Sequence, residues 1–179
     1  MGMSFAEARK GILEEIAEVT AAVDGERAGT LVHEILSAEK VFLVGVGRVF
    51  LTLQAFDKRL NHLGVKAFCV GDLNEPAISE RDLLIAGSGS GASIVPVAIA
   101  KLAKSIGARV AYVGSNPESP LCGLADCFVR IPCATKLGLP GEYASKQIMG
   151  SLFEQALYIF CDSICLMLAV EKDININAL

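Results

Sequence analysis

Residues 83–93 read Leu-Leu-Ile-Ala-Gly-Ser-Gly-Ser-Gly-Ala-Ser, an apolar run that changes into alternating glycine and serine and then into a helical pattern. Glycine has no Cβ, so its backbone can approach an anion closely, and serine hydroxyls add hydrogen-bond donors. The first turn of the following helix would add free N–H groups and a favourable dipole. The stretch therefore predicts a strand, a phosphate-binding loop and a helix in succession.

The same alternation of short apolar runs and helical patterns extends along most of the chain. The strand candidates are continuously apolar, as in a parallel sheet covered on both faces, and comprise residues 41–44, 66–70, 83–86, 109–113 and 127–131. Apolar residues at helical spacing predict helices over 51–63 and 94–106. The fold class is therefore α/β: a three-layer α/β/α sandwich with a five-stranded parallel sheet in the flavodoxin-like order 2-1-3-4-5.

The chain of 179 residues is expected to form a single domain, because it contains no internal repeat and no linker rich enough to divide it. Residues 1–38 carry two helical patterns, over 5–23 and 27–37, before the first strand. Residues 40–131 form the predicted sheet core. A loop over 132–141 then leads to one long helix, predicted over 145–171.

Composition restricts the partners and the compartment. The net charge is −4 and the basic residues are scattered, so a nucleic-acid-binding surface is not expected. The six cysteines form no CxxC pair, and Cys69, Cys161 and Cys165 fall in apolar strand or helix patterns. These features favour small core residues in a reducing cytoplasm over a disulfide, metal or redox site. No signal-peptide pattern opens the sequence, which agrees with a cytoplasmic location.

The last predicted helix is apolar almost all round and is nearly long enough to span a bilayer. Glu154 and Asp162 lie within its apolar run, and each would cost roughly 2.5 to 3.5 kcal/mol in lipid. The helix also lacks a basic flank, so we expect a buried helix and no membrane partner. One sheet face offers too little area to bury it, so we expect a second subunit to cover part of it. A helix wholly central to the monomer is the alternative.

Two glycine-rich turns follow the first and third strands, which flank the ligand crevice in a sheet of this order. One is the Ser88 loop, and the other reads Gly45-Val46-Gly47-Arg48-Val49-Phe50. A dinucleotide fingerprint fits the second turn poorly, because Phe50 stands where the third glycine belongs. Together the two turns favour a small phosphorylated metabolite over NAD.

Four segments, residues 44–48, 59–64, 88–93 and 149–155, together resemble the sugar isomerase (SIS) domain family in order and spacing. The similarity runs from about Lys40 to the last helix. The resemblance implies interconversion of D-arabino-hex-3-ulose 6-phosphate and fructose 6-phosphate through a cis-enediol, without metal or cofactor. It also implies a homotetramer whose active sites are lined by more than one subunit.

The resemblance also implies the roles of individual residues. In such proteins the loop after the third strand holds the phosphate, which in this chain means Ser88, Gly89, Ser90, Gly91 and Ser93. The first turn supplies further substrate-binding positions, Gly47 and Arg48. Arg48 is expected either to contact the sugar or its phosphate, or to pair with an acid of a neighbouring subunit.

The reaction needs a base that removes a proton from carbon and returns it to the neighbouring carbon, and the resemblance assigns this role to Glu154. The alternative is a carboxylate that only complements the dipole at the start of the last helix. His62 matches the family histidine and would carry protons between the enediol oxygens. It equally fits a helix C-terminal cap or a packed core residue.

Three positions depart from the family pattern. Val49 and Phe50 replace a serine and a glycine of the first turn, and Ala92 stands where a polar residue is common. The sequence therefore leaves two alternatives to the isomerase open. The chain would be a non-catalytic phosphosugar-binding or regulatory protein, or an isomerase of a related sugar phosphate.

Overall fold

A computed structural model describes residues 2–175 and shows a five-stranded parallel sheet of order β2-β1-β3-β4-β5. The strands are β1 (Val41–Val44), β2 (Ala67–Cys69), β3 (Leu83–Gly87), β4 (Arg109–Gly114) and β5 (Cys127–Arg130). The strand order and the predicted strand positions are confirmed, with ends that differ by at most one residue. In the central register, Val41 lies opposite Ala67 on one side and Leu83 on the other.

Six helices accompany the sheet in the described part of the chain. They are α1 (Phe5–Ala21), α2 (Gly25–Ser37), α3 (Gly47–His62), α4 (Ile94–Ile106), α5 (Pro120–Leu124) and α6 (Ser151–Glu171). Helices α2, α3 and α6 share one hydrophobic core with one face of the sheet, and α1 packs against α6. Helices α4 and α5 contact the opposite face.

The continuous apolar runs of the strands are explained by burial on both faces. All four side chains of β1 are buried. Because side chains alternate along a strand, Val41 and Leu43 enter the core with α3 and α6, whereas Phe42 and Val44 enter the core with α4. This three-layer arrangement is the predicted fold class.

Helix α3 begins at Gly47, four residues earlier than the sequence pattern indicates. The expectation of a turn over residues 45–50 is therefore wrong from Gly47 onwards. Gly47 opens the helix with φ +58°. Val49 and Phe50 then pack against the main core and are partly buried there. These two departures from the family pattern therefore have a packing explanation.

Helix α6 begins at Ser151 and not at 145, because two residues before it leave the helical conformation. Met149 has φ +51° and Gly150 has φ +76°, which is the left-handed region. Residues 145–147 instead bind Glu15 of α1. Its carboxylate accepts hydrogen bonds from the Ser145 hydroxyl at 2.6 Å and the Lys146 N–H at 2.9 Å.

Helix α6 is long and apolar enough to cross a membrane, and half of its most apolar 18-residue stretch is buried against the rest of the chain. Its buried positions lie along the side facing α1, α2 and α3. The remaining side exposes large apolar side chains: Tyr158, Ile159, Leu166, Met167 and Val170. Coverage of this side by a second subunit stays a prediction.

The six cysteines are free, and the interpretation of Cys69, Cys161 and Cys165 as small core residues is confirmed by their burial. Burial raises the pKa of the Cys69 and Cys165 thiols to about 12, so both remain protonated at neutral pH. Within residues 2–175, no group of three His, Cys, Asp or Glu side chains is placed to hold a metal ion.

Candidate active site

The carboxyl ends of β1 and β3 meet the first turns of α3, α4 and α6 at one edge of the sheet. A Cβ added to Gly87 would lie 3.2 Å from Val49 Cγ1, so the start of α3 packs directly against the end of β3. A Cβ on Gly89 would lie 3.5 Å from the Phe153 ring, so the start of α6 reaches the Ser88 loop. This edge is where a sheet of this order binds its ligand.

Three of the helices that begin at this edge, α3, α4 and α6, lack side-chain caps. The N-cap residues of α3, α4 and α6 are Val46, Ser93 and Gly150, and none caps its helix through a side chain. The other three helices are capped by Ser4, Asp24 and Ser119. Uncapped first turns leave N–H groups and the positive ends of helix dipoles available to an anion.

The Ser88–Ser93 loop uses its own hydroxyls to fold back on its backbone. Ser88 Oγ accepts the Gly91 N–H at 3.1 Å and lies 3.2 Å from Ser93 Oγ. Ser90 Oγ accepts the Ala92 N–H at 3.3 Å. The N–H groups of Gly89 and Ser90 have no hydrogen-bond acceptor within the described residues, so they can donate to a ligand. The loop has the donors of a phosphate cradle.

Arg48 and Glu154 form an ion pair beside this loop, with Arg48 Nε 2.7 Å from Glu154 Oε2. A second guanidinium nitrogen of Arg48, Nη2, donates to the Met149 carbonyl oxygen. The Glu154 side chain is 18% exposed and that of Arg48 is 53% exposed. No hydrogen bond to Glu154 Oε1 comes from residues 2–175, so this oxygen is open to a substrate. The sequence did not predict the pairing of Arg48 with an acid of its own chain.

His62 does not reach this edge within one chain. It is the last residue of α3, about 21 Å from Arg48 along the helix. Its side chain is exposed, which is not the position of a packed core residue. With Arg59 and Asp162 it lines a cavity of about 530 Å³ between α3 and α6, at the ends of these helices remote from the Ser88 loop.

The sequence analysis missed the residues that support the Ser88 loop from behind. Tyr112 of β4 is fully buried and its hydroxyl donates to the Ser88 carbonyl oxygen at 3.0 Å. Asn116, just after β4, donates from Nδ2 to the Ser90 carbonyl oxygen at 3.2 Å. The available signal was a tyrosine in an apolar strand followed by Gly-Ser-Asn at the ligand edge of the sheet.

Comparison with known proteins decides the family. The SIS domain matches residues 34–158, which include every residue of this edge. The chain belongs to the SIS domain family. It is 42% identical over 153 residues to the 3-hexulose-6-phosphate isomerase of Mycobacterium gastri, covering 86% of this chain and 76% of that protein. It is 39% identical over 164 residues to the enzyme of the same name from Bacillus subtilis, with 92% and 89% covered.

A solved structure agrees with these relatives. The SIS chain superposes with a TM-score of 0.79 on a protein of Methanococcus jannaschii whose crystal structure infers a molecular function of 3-hexulose-6-phosphate isomerase. The two sequences are 26% identical, and the match covers 94% of this chain and 93% of that one. The match therefore extends over the whole SIS fold and not over the sheet alone.

Proposed function

We propose that this SIS chain is a sugar-phosphate isomerase that interconverts D-arabino-hex-3-ulose 6-phosphate and fructose 6-phosphate. One observation supports this above all: the first turn of α6, which carries Glu154, lies beside the Ser88 loop, since a Cβ on Gly89 would lie 3.5 Å from the Phe153 ring. A carbon base and a phosphate cradle are thereby adjacent in a single chain. The two relatives at 42% and 39% identity that are named for this reaction support the choice of substrate.

The Ser88 loop and the first turn of α4 bind the phosphate in this proposal. The Gly89 and Ser90 N–H groups supply backbone donors, and the Ser93 hydroxyl lies at the uncapped start of α4. A phosphate held there is bound by hydrogen bonds and by the helix dipole. The opposite end of the substrate then extends over Gly47 and Arg48 towards Glu154.

Glu154 performs the proton transfer at carbon. Its free oxygen, Oε1, removes the proton from C2 of the hexulose, and the electrons of that C–H bond form the enediol while the C3 carbonyl oxygen gains a proton. Return of the carbon-bound proton to C3 and loss of the O2 proton give the C2 ketone of fructose 6-phosphate. Arg48 holds Oε2 at 2.7 Å and so orients the carboxylate.

The exchange of protons between O2 and O3 is assigned to His62, which lies at the far end of α3. A homo-oligomer, a tetramer in this proposal, brings His62 of one copy to Glu154 of another. The large apolar side chains exposed on α6 support such an assembly, because clusters of exposed apolar side chains are typical of interaction sites. We place the enzyme in the cytoplasm, where the thiols stay reduced.

A coupled assay for fructose 6-phosphate formation from the hexulose phosphate tests the activity. We expect turnover in the purified protein and exchange of solvent deuterium into fructose 6-phosphate. A protein that binds fructose 6-phosphate without exchanging protons at its carbons would be a phosphosugar-binding protein instead. NAD serves as the control ligand, and it should not shift the melting temperature where sugar phosphate does.

Subunit mixing tests the shared site. Glu154→Gln and His62→Asn chains are each expected to be inactive, and co-refolding the two should restore part of the activity in sites that combine one intact residue from each chain. Differently tagged chains show whether mixed assemblies have formed. If a mixed assembly recovers no activity, His62 has a role outside the site.

A further inference from the structure

We infer that Tyr112 and Asn116 hold the Ser88 loop in its phosphate-binding shape from behind and thereby set the affinity for the phosphate group without touching it. The inference rests on the proposed function only in taking this loop as the phosphate site. It concerns positioning residues on β4 and on the segment after it, not residues that contact the substrate.

Four consecutive carbonyl groups of the loop point away from the ligand side. The Ser88 oxygen accepts from the Tyr112 hydroxyl at 3.0 Å, and the Gly89 oxygen accepts from the Ser115 N–H at 3.1 Å. The Ser90 oxygen accepts from Asn116 Nδ2 at 3.2 Å, and the Gly91 oxygen accepts from the Leu121 N–H at 3.1 Å. In a trans peptide unit the C=O and the following N–H point in opposite directions. Fixing the Ser88 and Gly89 carbonyls therefore turns the Gly89 and Ser90 N–H groups towards the open side, which is the arrangement of an anion-binding nest. Fixing the Ser90 carbonyl orients the Gly91 N–H that closes the loop on Ser88 Oγ.

Two of these four donors are side chains, and Tyr112 is the more deeply placed. Its ring is stacked on Phe128 with centroids 4.9 Å apart, so the hydroxyl has a fixed position. Two glycines allow the loop to lie against it. A Cβ on Gly91 would lie 2.6 Å from the hydroxyl oxygen, and a Cβ on Gly114 would collide with the same atom. Burial raises the pKa of Tyr112 to about 12, which keeps the phenol a donor at neutral pH.

The Asn116 side chain is held so that its amide nitrogen, Nδ2, and not its oxygen, faces the loop. The residue is 6% exposed, and its Oδ1 accepts the Glu118 N–H at 2.8 Å. The amide nitrogen must then face the Ser90 carbonyl, because a flipped amide would lose both hydrogen bonds. The second side-chain donor is therefore oriented by its own backbone segment.

Tyr112→Phe and Asn116→Ala each remove one of the two side-chain donors and leave every loop residue in place. We expect each variant to raise KM for the sugar phosphate, and the Kd of inorganic phosphate measured by ³¹P NMR, by about 3- to 10-fold. We expect kcat to stay within about twofold, because Glu154 and Arg48 are unchanged. If Tyr112→Phe does not fold, Asn116→Ala carries the same test.

Val110→Ala is the matched stability control, because it removes buried apolar volume from β4 in the core that also holds Tyr112 and leaves the Tyr112 hydroxyl and its Phe128 stacking in place. It should lower the melting temperature and leave phosphate affinity unchanged. If Tyr112→Phe behaves in the same way, the residue is only structural and the inference is overturned; a fall in kcat at constant KM overturns it as well. A wild-type chain that binds phosphate but does not isomerise overturns the proposed function alone, since the phosphate Kd still reports on the loop.

Discussion

The Ser88–Ser93 loop and the Arg48–Glu154 pair are neighbours that differ in burial and in how the rest of the chain supports them. The loop is backed by β4, its Ser88 is 4% exposed, and its first four carbonyl groups are hydrogen-bonded within the chain. The pair lies at the surface, where Arg48 is 53% exposed and the adjacent Met149 is 83% exposed. One chain thus completes the binding half of the site and leaves the reacting half open to the substrate and, in our proposal, to another subunit.

This difference separates the expected effects of substitutions. Loop residues are fixed by close contacts and buried hydrogen bonds, so changing them should affect both stability and binding. An exposed ion pair contributes only about 0–1 kcal/mol to stability, so changing it should affect turnover and little else. The following variants test that separation, beginning with the largest expected effect.

Glu154→Gln should lower kcat by about 10³-fold, because the amide cannot accept a proton from carbon. Binding of fructose 6-phosphate should change less than about threefold, since the phosphate loop is intact. The measurements are the coupled assay and calorimetric titration. Glu171→Gln, an exposed position at the other end of α6, is the matched control. Substantial residual turnover in Glu154→Gln would move the base to another residue.

Gly91→Ala should weaken phosphate binding by about 10²-fold and destabilise the fold by about 2 kcal/mol or more. The position has φ +65°, and a Cβ would collide with the Ser119 hydroxyl and approach the Tyr112 hydroxyl to 2.6 Å. Phosphate titration and urea unfolding measure the two effects.

Gly138→Ala controls for backbone strain alone. Gly138 has φ +60°, but a Cβ there would meet no atom within 4 Å. The left-handed backbone strain alone should lower the free energy of unfolding of this variant by about 1–2 kcal/mol, and phosphate affinity should stay unchanged. Equal losses in the two variants would show that the loop does not depend on its close approach to β4.

Arg48→Lys should lower kcat by about tenfold while changing the free energy of unfolding by less than about 1 kcal/mol. Arg48 reaches Glu154 and the Met149 carbonyl from two separate nitrogens of its planar guanidinium, and lysine has a single nitrogen that cannot reproduce this geometry. Arg81→Lys, which alters an exposed pair with Glu39 at 2.9 Å outside the site, is the control. A change in stability without a change in kcat would make the pair purely structural.

The sequence predicted the parts of this molecule that depend on local pattern. The strands were found because burial on both faces requires continuous apolar runs, and the Ser88 loop because glycine and serine are adjacent in the chain. The pairing of Arg48 with Glu154 joins residues 106 positions apart, and no local pattern records it. Tyr112 is an aromatic residue in an apolar strand, so its role appears only when its hydroxyl is seen against the Ser88 carbonyl oxygen.

The two helix starts that the sequence misplaced by four or more residues have the same cause. Val49 and Phe50 directly follow a glycine-rich turn in the sequence, and their place in α3 is seen only from their contacts with the core. The start of α6 depends on the left-handed Met149 and Gly150, and on Glu15, which lies 130 positions before Ser145. Tertiary contacts thus decide both starts, and both adjoin the Arg48–Glu154 pair.

Glu15→Gln should give the smallest effect, because Glu15 acts on the pair only through residues 145–147. Burial raises the pKa of Glu15, but hydrogen bonds from Ser145, the Lys146 N–H and Gln147 outweigh it and lower the pKa below its usual 4.5. The folded state therefore prefers the charged form. Its stabilisation is present above about pH 4.5 and is lost as the pH falls through the lowered pKa.

At pH 7 we expect Glu15→Gln to reduce the free energy of unfolding by at most about 1 kcal/mol, and the difference from the wild type to shrink below about pH 4. Urea unfolding at both pH values measures it. Glu14→Gln, on the same helix and in an exposed ion pair with Lys10 at 3.7 Å, should show less change at pH 7. A difference that grows as the pH falls would mean that the carboxylate does not anchor the segment leading to α6, and the reacting half of the site would then be positioned by Arg48 alone.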